Sequence, residues 1–475
     1  MTCLPFPAHP ASAARDEFAG REQLRASSAE FRREVIEVTD GVFAAVGYSA
    51  SNVTLIQGEG GCVIVDTAAN PADARDIVEA FGSRMRRPVR AILYTHNHPD
   101  HSGGATVFAG DDRPEIHAHR TLVEAGPEFG RGARGGGDAF GLGLPDALFI
   151  NAGTQLEYGR RTPHTREGFL APTHTFGGKE AVIEVAGLRL HLIHTPGESP
   201  ENLAVWLPAK GVLLPGDDFY KSYPNLSPLR GLRLRPPERW IASLERMLAL
   251  EAWFLVQGHM RPVLGREAVR EALTAYRDGI RSVLDQTLDG IRRGRTPDEL
   301  VQEVRLPPEL AASPFLQEYY GCVAWTVRGI FADTVGWFDG NPTNIFPLPP
   351  AERAARMLDL AGGAEAMLAR ARRAMEEGAF QWAAELADHL LTVDPAQADA
   401  RKVKAAALTE LGERQVNATA RNYYLTAAQF LLRGQVAPAE PTGPGREQAP
   451  PGRGAVPAPP EALSVGGAAG TRARP

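Results

Sequence analysis

The chain has 475 residues, 43% hydrophobic and 23% charged, which is the balance of a folded globular protein and excludes a collagen-like, fibrous or wholly disordered one. That length exceeds what one hydrophobic core usually organises and predicts at least two domains. With 51 basic against 57 acidic side chains the net charge is −6, which on average repels a phosphate backbone and argues against nucleic acid as a main partner.

Residues 1–34 read as a polar, Pro/Ala-rich N-terminal extension. They show no basic segment followed by an apolar one, so cytoplasmic residence is the expectation. EVTDGVFAAVG, SNVTLIQGEGG and CVIVDTAAN then read as short strands joined by Gly and Asn turns. The spacing of Ala74, Ile77, Val78 and Phe81 predicts a helix over Pro71–Arg87, and VRAILYTH predicts a buried strand running into a histidine-rich loop. EIHAH is a further strand, and the glycine-rich stretch Gly126–Gly143 predicts an irregular loop beside a substrate entrance. AVIEVAG, LRLHLIHTPGE and ENLAVWLPAKGVLLPGDD give strands and turns, followed by a helix near Pro236–Leu250 and a strand at WFLVQGH.

Two runs of strands with accompanying helices predict two facing sheets with helices outside, an α/β sandwich of four layers with the site along one sheet edge. Beyond about Glu267 only amphipathic helical patterns remain, and residues 378–412 have the Ala/Leu spacing of a tetratricopeptide-like helix pair. The division is therefore a catalytic domain over 35–272, an all-α domain over 273–433, and a Pro/Gly/Ala-rich tail over 434–475 that is too poor in large apolar residues to order itself. No window reaches the roughly 18 continuous apolar residues of a membrane span. Cys3, Cys62 and Cys322 form no CxxC pair and read as reduced thiols.

THNHPDHSGG carries the sharpest chemical signal: His96, His98, Asp100 and His101 form HxHxDH directly after an apolar strand. Imidazole nitrogens and a carboxylate suit zinc and similar divalent ions, and alternate residues of one loop can serve two ions. One loop cannot complete two coordination shells, so further ligands must come from other strand ends. Glu198 after HTPG, Asp217 in LLPGDD and His259 in QGH stand at such ends. Singly, each also fits a solvated turn acid or a hydrogen-bonded loop histidine.

Together, HxHxDH, the acceptor after HTPG, GD after the next hairpin and GH after a late strand resemble the metallo-β-lactamase superfamily, whose fold is an αββα sandwich. Glu198, where the common branch has His, points to the alkyl sulfatases. PNLSPLRG at Pro224–Gly231 looks like that family's asparagine-to-arginine segment, and GWFDGNPTNIFPLPP at Gly336–Pro350 is similar to a segment of its helical dimerisation domain. LPPEL, QEYYG and RNYYLTAAQ follow in the family's order, and the resemblance covers roughly residues 35–432.

This resemblance implies two divalent metal ions, with zinc the first choice. His96, His98 and Glu198 would hold one, Asp100, His101 and His259 the other, and Asp217 would bridge, with Asp100 and Asp217 in catalytic roles. It implies hydrolysis of alkyl sulfate esters to alcohol and sulfate by a metal-bridging hydroxide, and a homodimer. Asn225 and Arg230 would bind the sulfate, because a planar guanidinium matches that oxyanion better than an ammonium does. Two departures stand out: Asp217 replaces the family's usual Glu, and the family's sterol-carrier-like final domain is missing, which makes long-chain esters less secure substrates.

A hydrolase of another ester, lactone, thioester or β-lactam is the alternative on the same fold. A di-iron oxidoreductase or a non-catalytic scaffold are more distant ones. His117, His119, His164, His174, His191, His194 and His389 read as structural or solvated, with His164 and His174 in a loop within reach of the site and His9 in the N-terminal extension. Trp325, Phe331, Trp337 and Phe338 read as core residues that could alternatively line an alkyl pocket, and no proton donor is assigned among Tyr223, Lys221 and Arg235.

Overall fold

Thirteen strands, in two sheets, carry the framework of the computed structural model, which describes residues 18–125, 136–156, 165, 167–231 and 233–434. The first sheet runs in sequence order through β1 (Glu34–Thr39), β2 (Val42–Val46), β3 (Val53–Gly58), β4 (Gly61–Val65), β5 (Val89–Leu93), β6 (Glu115–His119) and β7 (His174–Phe176). It begins as an antiparallel meander and becomes parallel from β4 onward. The second sheet comprises β8 (Glu180–Val185), β9 (Leu188–His194), β10 (Leu203–Leu207), β11 (Val212–Leu214), β12 (Phe254–Leu255) and β13 (Val263–Leu264), ordered β13-β12-β11-β10-β9-β8.

Alternation along the strands sends one set of side chains between the sheets, where Val63, Leu93, Leu192, Val205 and Leu214 pack together. The opposite face of the first sheet is covered by the helices Pro71–Phe81 and Ala105–Ala109 through Ile77, Phe81 and Phe108. Helices Pro237–Leu248 and Arg266–Arg292 cover the second. The expected four-layer α/β sandwich is therefore what the chain forms.

Helices continue to Leu432. Residues 378–412 do hold the expected helix pair, Phe380–Val393 and Ala398–Glu413, with Ala383, Ala384, Ala407 and Leu408 in a small core. The core over the second sheet does not stop at the end of the sandwich. Leu213, Trp240 and Leu255 pack in one cluster with Ile280, Leu300, Leu316, Val327 and Phe331, so sandwich and helical region share apolar burial. The 27-residue helix Arg266–Arg292 runs straight through the 272/273 division.

Several elements differ from expectation for local reasons. The helix from Pro71 ends at Phe81, because Gly82 adopts φ 51° and caps it. Within the N-terminal extension, Ala19–Ser27 is a helix with Leu24 buried and with Arg21 paired to Glu413. Of the glycine-rich stretch, Gly136–Ala139 is a helical turn and Phe140 is buried, while residues 126–135 lie outside the described residues. His9, His164 and residues 435–475 of the tail also lie outside them. Among the described residues no helix is long and apolar enough to cross a membrane.

Candidate metal centre

Strand direction assembles the site. β4 and β5 run parallel, β11 and β12 run parallel, and β9 is antiparallel to β10, which is antiparallel to β11. The C-terminal ends of β4 and β5, and those of β9, β11 and β12, therefore open onto common edges, and two backbone bonds, Leu203 N–H to Thr95 O at 2.8 Å and Asn52 N–H to Gly258 O at 2.7 Å, join the two sheets there. After β5, His96 and His98 sit in a loop that bends at Thr95 and Asn97, and Pro99 starts the short helix Pro99–Ser102 that brings in Asp100 and His101. Glu198 follows β9, Asp217 follows β11 and His259 follows β12.

All seven expected ligands are buried and brought together. His96, His98, Glu198 and Asp217 offer ligand atoms within 4.8 Å of one another, and Asp100, His101 and His259 do the same. Asp217 lies between the sets, with its Oδ2 3.6 Å from His96 Nε2, 3.4 Å from His101 Nε2 and 3.1 Å from His259 Nε2. His98 Nδ1 is 2.8 Å from His96 Nε2 and 3.4 Å from Glu198 Oε2, and Asp100 Oδ2 is 3.7 Å from His101 Nε2 and 3.6 Å from His259 Nε2.

The outward-facing ring atoms are held. His259 Nδ1 donates to Ala50 O at 2.9 Å, and His101 Nδ1 lies 2.8 Å from Asp66 Oδ2, which leaves both Nε2 atoms turned inward. Asp66 is fixed in turn by Thr95 N–H at 2.9 Å and Thr95 Oγ1 at 2.8 Å. Arg235 ion-pairs with Glu198, and the Glu198 N–H donates to Asp218 Oδ1 at 2.8 Å. Gly258 is a glycine for want of space: a Cβ there would run into Asp217 Oδ1 and stand 2.6 Å from His101 Cε1.

Burial and mutual charge set the titration of these groups. Burial pushes His96 well below the usual imidazole range, and His101 and His98 add to it. Burial works against charge on His101 and His259 as well, but facing Asp217 outweighs it and both are raised. Asp217, which burial would raise, is held well below the carboxylate range by His259, His101 and His96. His101 Nε2, Glu198 Oε2 and Asp217 Oδ1 are buried with no hydrogen-bond partner among the described residues. Buried polar atoms are costly in that condition, and convergent imidazole and carboxylate donors are what a divalent cation satisfies. The residues fit such ions.

The cavity beside the cluster is lined by His98, Asp100, Glu198, Asp217 and His259 together with Phe140, Thr154, Gln155, Tyr220, Arg230 and Tyr320. Arg230 thus reaches the site as expected; its Nη1 donates to Tyr320 OH at 2.9 Å, and its guanidinium stands 5.6 Å from the Phe140 ring centre. Asn225 is buried but outside that lining, its N–H bonded to Tyr220 OH and its carbonyl to Arg235. The four aromatics do not line it either, with Phe331 in the core and Trp337 exposed. Of the residues left without a role, Lys221 pairs with Glu30 and Tyr223 is buried.

Residues 46–259 match the metallo-beta-lactamase superfamily model, and residues 296–434 match the alkyl sulfatase dimerisation model. A linear primary-alkylsulfatase of Pseudomonas sp. (strain ATCC 19151) is 37% identical over 406 residues, covering 81% of this chain and 75% of that protein. The chain belongs to the alkylsulfatase family of the metallo-β-lactamase superfamily. An (R)-specific secondary-alkylsulfatase of Pseudomonas sp. is 30% identical over 84% of this chain, which spans 63% of that relative's length. The solved structure of a stereoselective inverting sec-alkylsulfatase from Pseudomonas sp. superposes with a TM-score of 0.79 at 27% identity, covering 92% of this chain and 70% of that one. Membership of the family accounts for the sandwich, the divalent-metal donor set and the helical region that follows it.

Proposed function

We propose that this chain hydrolyses alkyl sulfate esters to alcohol and sulfate, with two divalent cations, zinc by preference, held by His96, His98 and Glu198 and by Asp100, His101 and His259, and bridged by Asp217. The observation that carries the reading is the presence of Arg230 in the same buried cavity as those carboxylates and imidazoles. Cations bound there would supply Lewis acidity and make water a nucleophile near neutral pH.

The chain's own residues do the remaining work. Three ligand carboxylates offset about three of four positive charges, leaving net attraction for an anionic ester. Arg230 presents a planar fork to the sulfate oxygens, and Tyr320, which accepts its Nη1–H, holds that fork toward the cavity. Arg235 neutralises and orients Glu198, while Phe140 and Tyr320 pack about the Arg230 guanidinium and shield it from bulk water. A catalytic role for Asp217 rests on its place between the two donor sets and one for Asp100 on its carboxylate beside His259 in the cavity, and a role for Asn225 would run through its contact with Arg235.

Residues 35–272 form the proposed catalytic domain and 273–433 the proposed dimerisation domain of a homodimer, which light scattering tests. Turnover of short and long alkyl sulfates alongside lactones, with zinc-loaded protein in isotopically labelled water, tests the reaction. Sulfate release lost in His98→Ala is expected; lactone turnover without sulfate release would overturn the reading.

A further inference from the structure

Every second residue of a strand faces the same way, so Glu115, His117 and His119 of β6 share one face. β7 lies alongside in parallel register, with His174 opposite His117. The His117 and His174 rings stack with centroids 4.9 Å apart, and His117 Nε2 stands 2.9 Å from Glu115 Oε2. Ligand atoms of Glu115, His117 and His174 all lie within 4.8 Å of one another, and none of the three belongs to the donor sets of the central cluster. We propose that Glu115, His117 and His174 form an additional binding site for a late first-row divalent cation such as zinc, clasping β7 to β6.

The donor set is two imidazoles and a carboxylate, which leaves one tetrahedral position to water. Adjacent donors around tetrahedral zinc are roughly 3.3 Å apart at normal bond lengths, close to the separation already present between His117 and Glu115. His117 is 7% exposed, so packing fixes its ring, whereas Glu115 and His174 are exposed and leave an approach from solvent. Burial also lowers the proton affinity of His117, with Glu115 opposing in part, which favours the neutral ligating form.

Second, the orientation of His174 is set from behind. Thr173 Oγ1 lies 2.9 Å from His174 Nδ1; the same oxygen accepts from Ile116 N–H at 2.9 Å and can donate to Ile116 O at 3.5 Å. In that arrangement His174 Nδ1–H donates to Thr173 and its Nε2 lone pair faces outward, the tautomer a metal needs. The gain to the fold is local: β7 has three residues at a sheet edge, and an ion shared with β6 would pin it where few backbone bonds can.

The test uses the full chain, stripped with chelator, dialysed against zinc and counted by mass spectrometry. Wild type is expected to retain one more zinc per chain than either His174→Ala or the isosteric Glu115→Gln, with the zinc-induced rise in Tm correspondingly smaller in both variants. Equal zinc content in all three proteins would overturn the site. Because the readout is a difference between proteins with intact central clusters, it is independent of whether alkyl sulfates are the substrate.

Discussion

Asp66 stands outside the cavity lining, yet replacing it with Asn tests the logic of the centre most sharply. Its two oxygens accept from Thr95 N–H and Thr95 Oγ1 on one side and face His101 Nδ1 on the other. An asparagine of the same shape has only one acceptor oxygen. If that oxygen serves the Thr95 backbone, its NH2 group faces His101 Nδ1, and His101 must move its proton to Nε2. That proton would then point at Asp217 Oδ2, 3.4 Å away, and remove the lone pair a cation requires. Partners behind a ligating histidine are worth ten- to hundredfold in metal affinity, about 1.4–2.7 kcal/mol. Competition against a graded series of chelators should show that loss in Asp66→Asn, with turnover restored by excess metal and the metal-free fold intact by circular dichroism. Undiminished affinity would refute the tautomer argument.

Replacing Arg230 by Lys keeps the charge and removes the planar fork, so kcat/KM for an alkyl sulfate should fall about ten- to hundredfold, or about 1.4–2.7 kcal/mol, chiefly through KM; steady-state kinetics decides. Gly258→Ala pushes a methyl into Asp217 and His101 and should lower metal content and turnover together while far-UV dichroism is unchanged. Burial, with His194 stacked 3.7 Å away, holds His119 down to about 4 from 6.5. The unfolded chain therefore binds that proton more readily, and this contribution to stability is complete above about pH 6.5 and declines as pH falls toward 4. Scanning calorimetry should find the decline in Tm shallower across that window in His119→Gln, and parallel curves would contradict the assignment.

Much of the centre was legible because metal ligation restricts residue type and spacing. HxHxDH, and the single Glu, Asp and His at later strand ends, survive as signals in one sequence. Asp66, Thr154 and Gln155 carry no such mark, and Arg235 and Tyr320 stand out only as a rejected proton donor and as part of QEYYG, since none of the five has a type-specific spacing. One weak clue existed for Asp66, an acid that ends the apolar run CVIVD on the strand beside the one feeding the histidine loop. Strand lengths were less legible still: WFLVQGH reads as one strand, but pairing covers only Phe254–Leu255 before the chain turns off to deliver His259. The hydrophobic pattern reports burial on both faces there and says nothing of where backbone pairing ends.

Tyr320 belongs to the helical half, and its hydroxyl accepts directly from the arginine of the sandwich half in the lining of the cavity beside the donor cluster. The guanidinium and the hydroxyl that orients it are thus supplied by separate stretches of chain that share a seam. Exchanging the later stretch between relatives should therefore disturb the seat of Arg230 while leaving the seven donor residues in place, whereas cutting the chain at the seam would strip Arg230 of that hydroxyl and lay open the apolar core the two stretches hold in common.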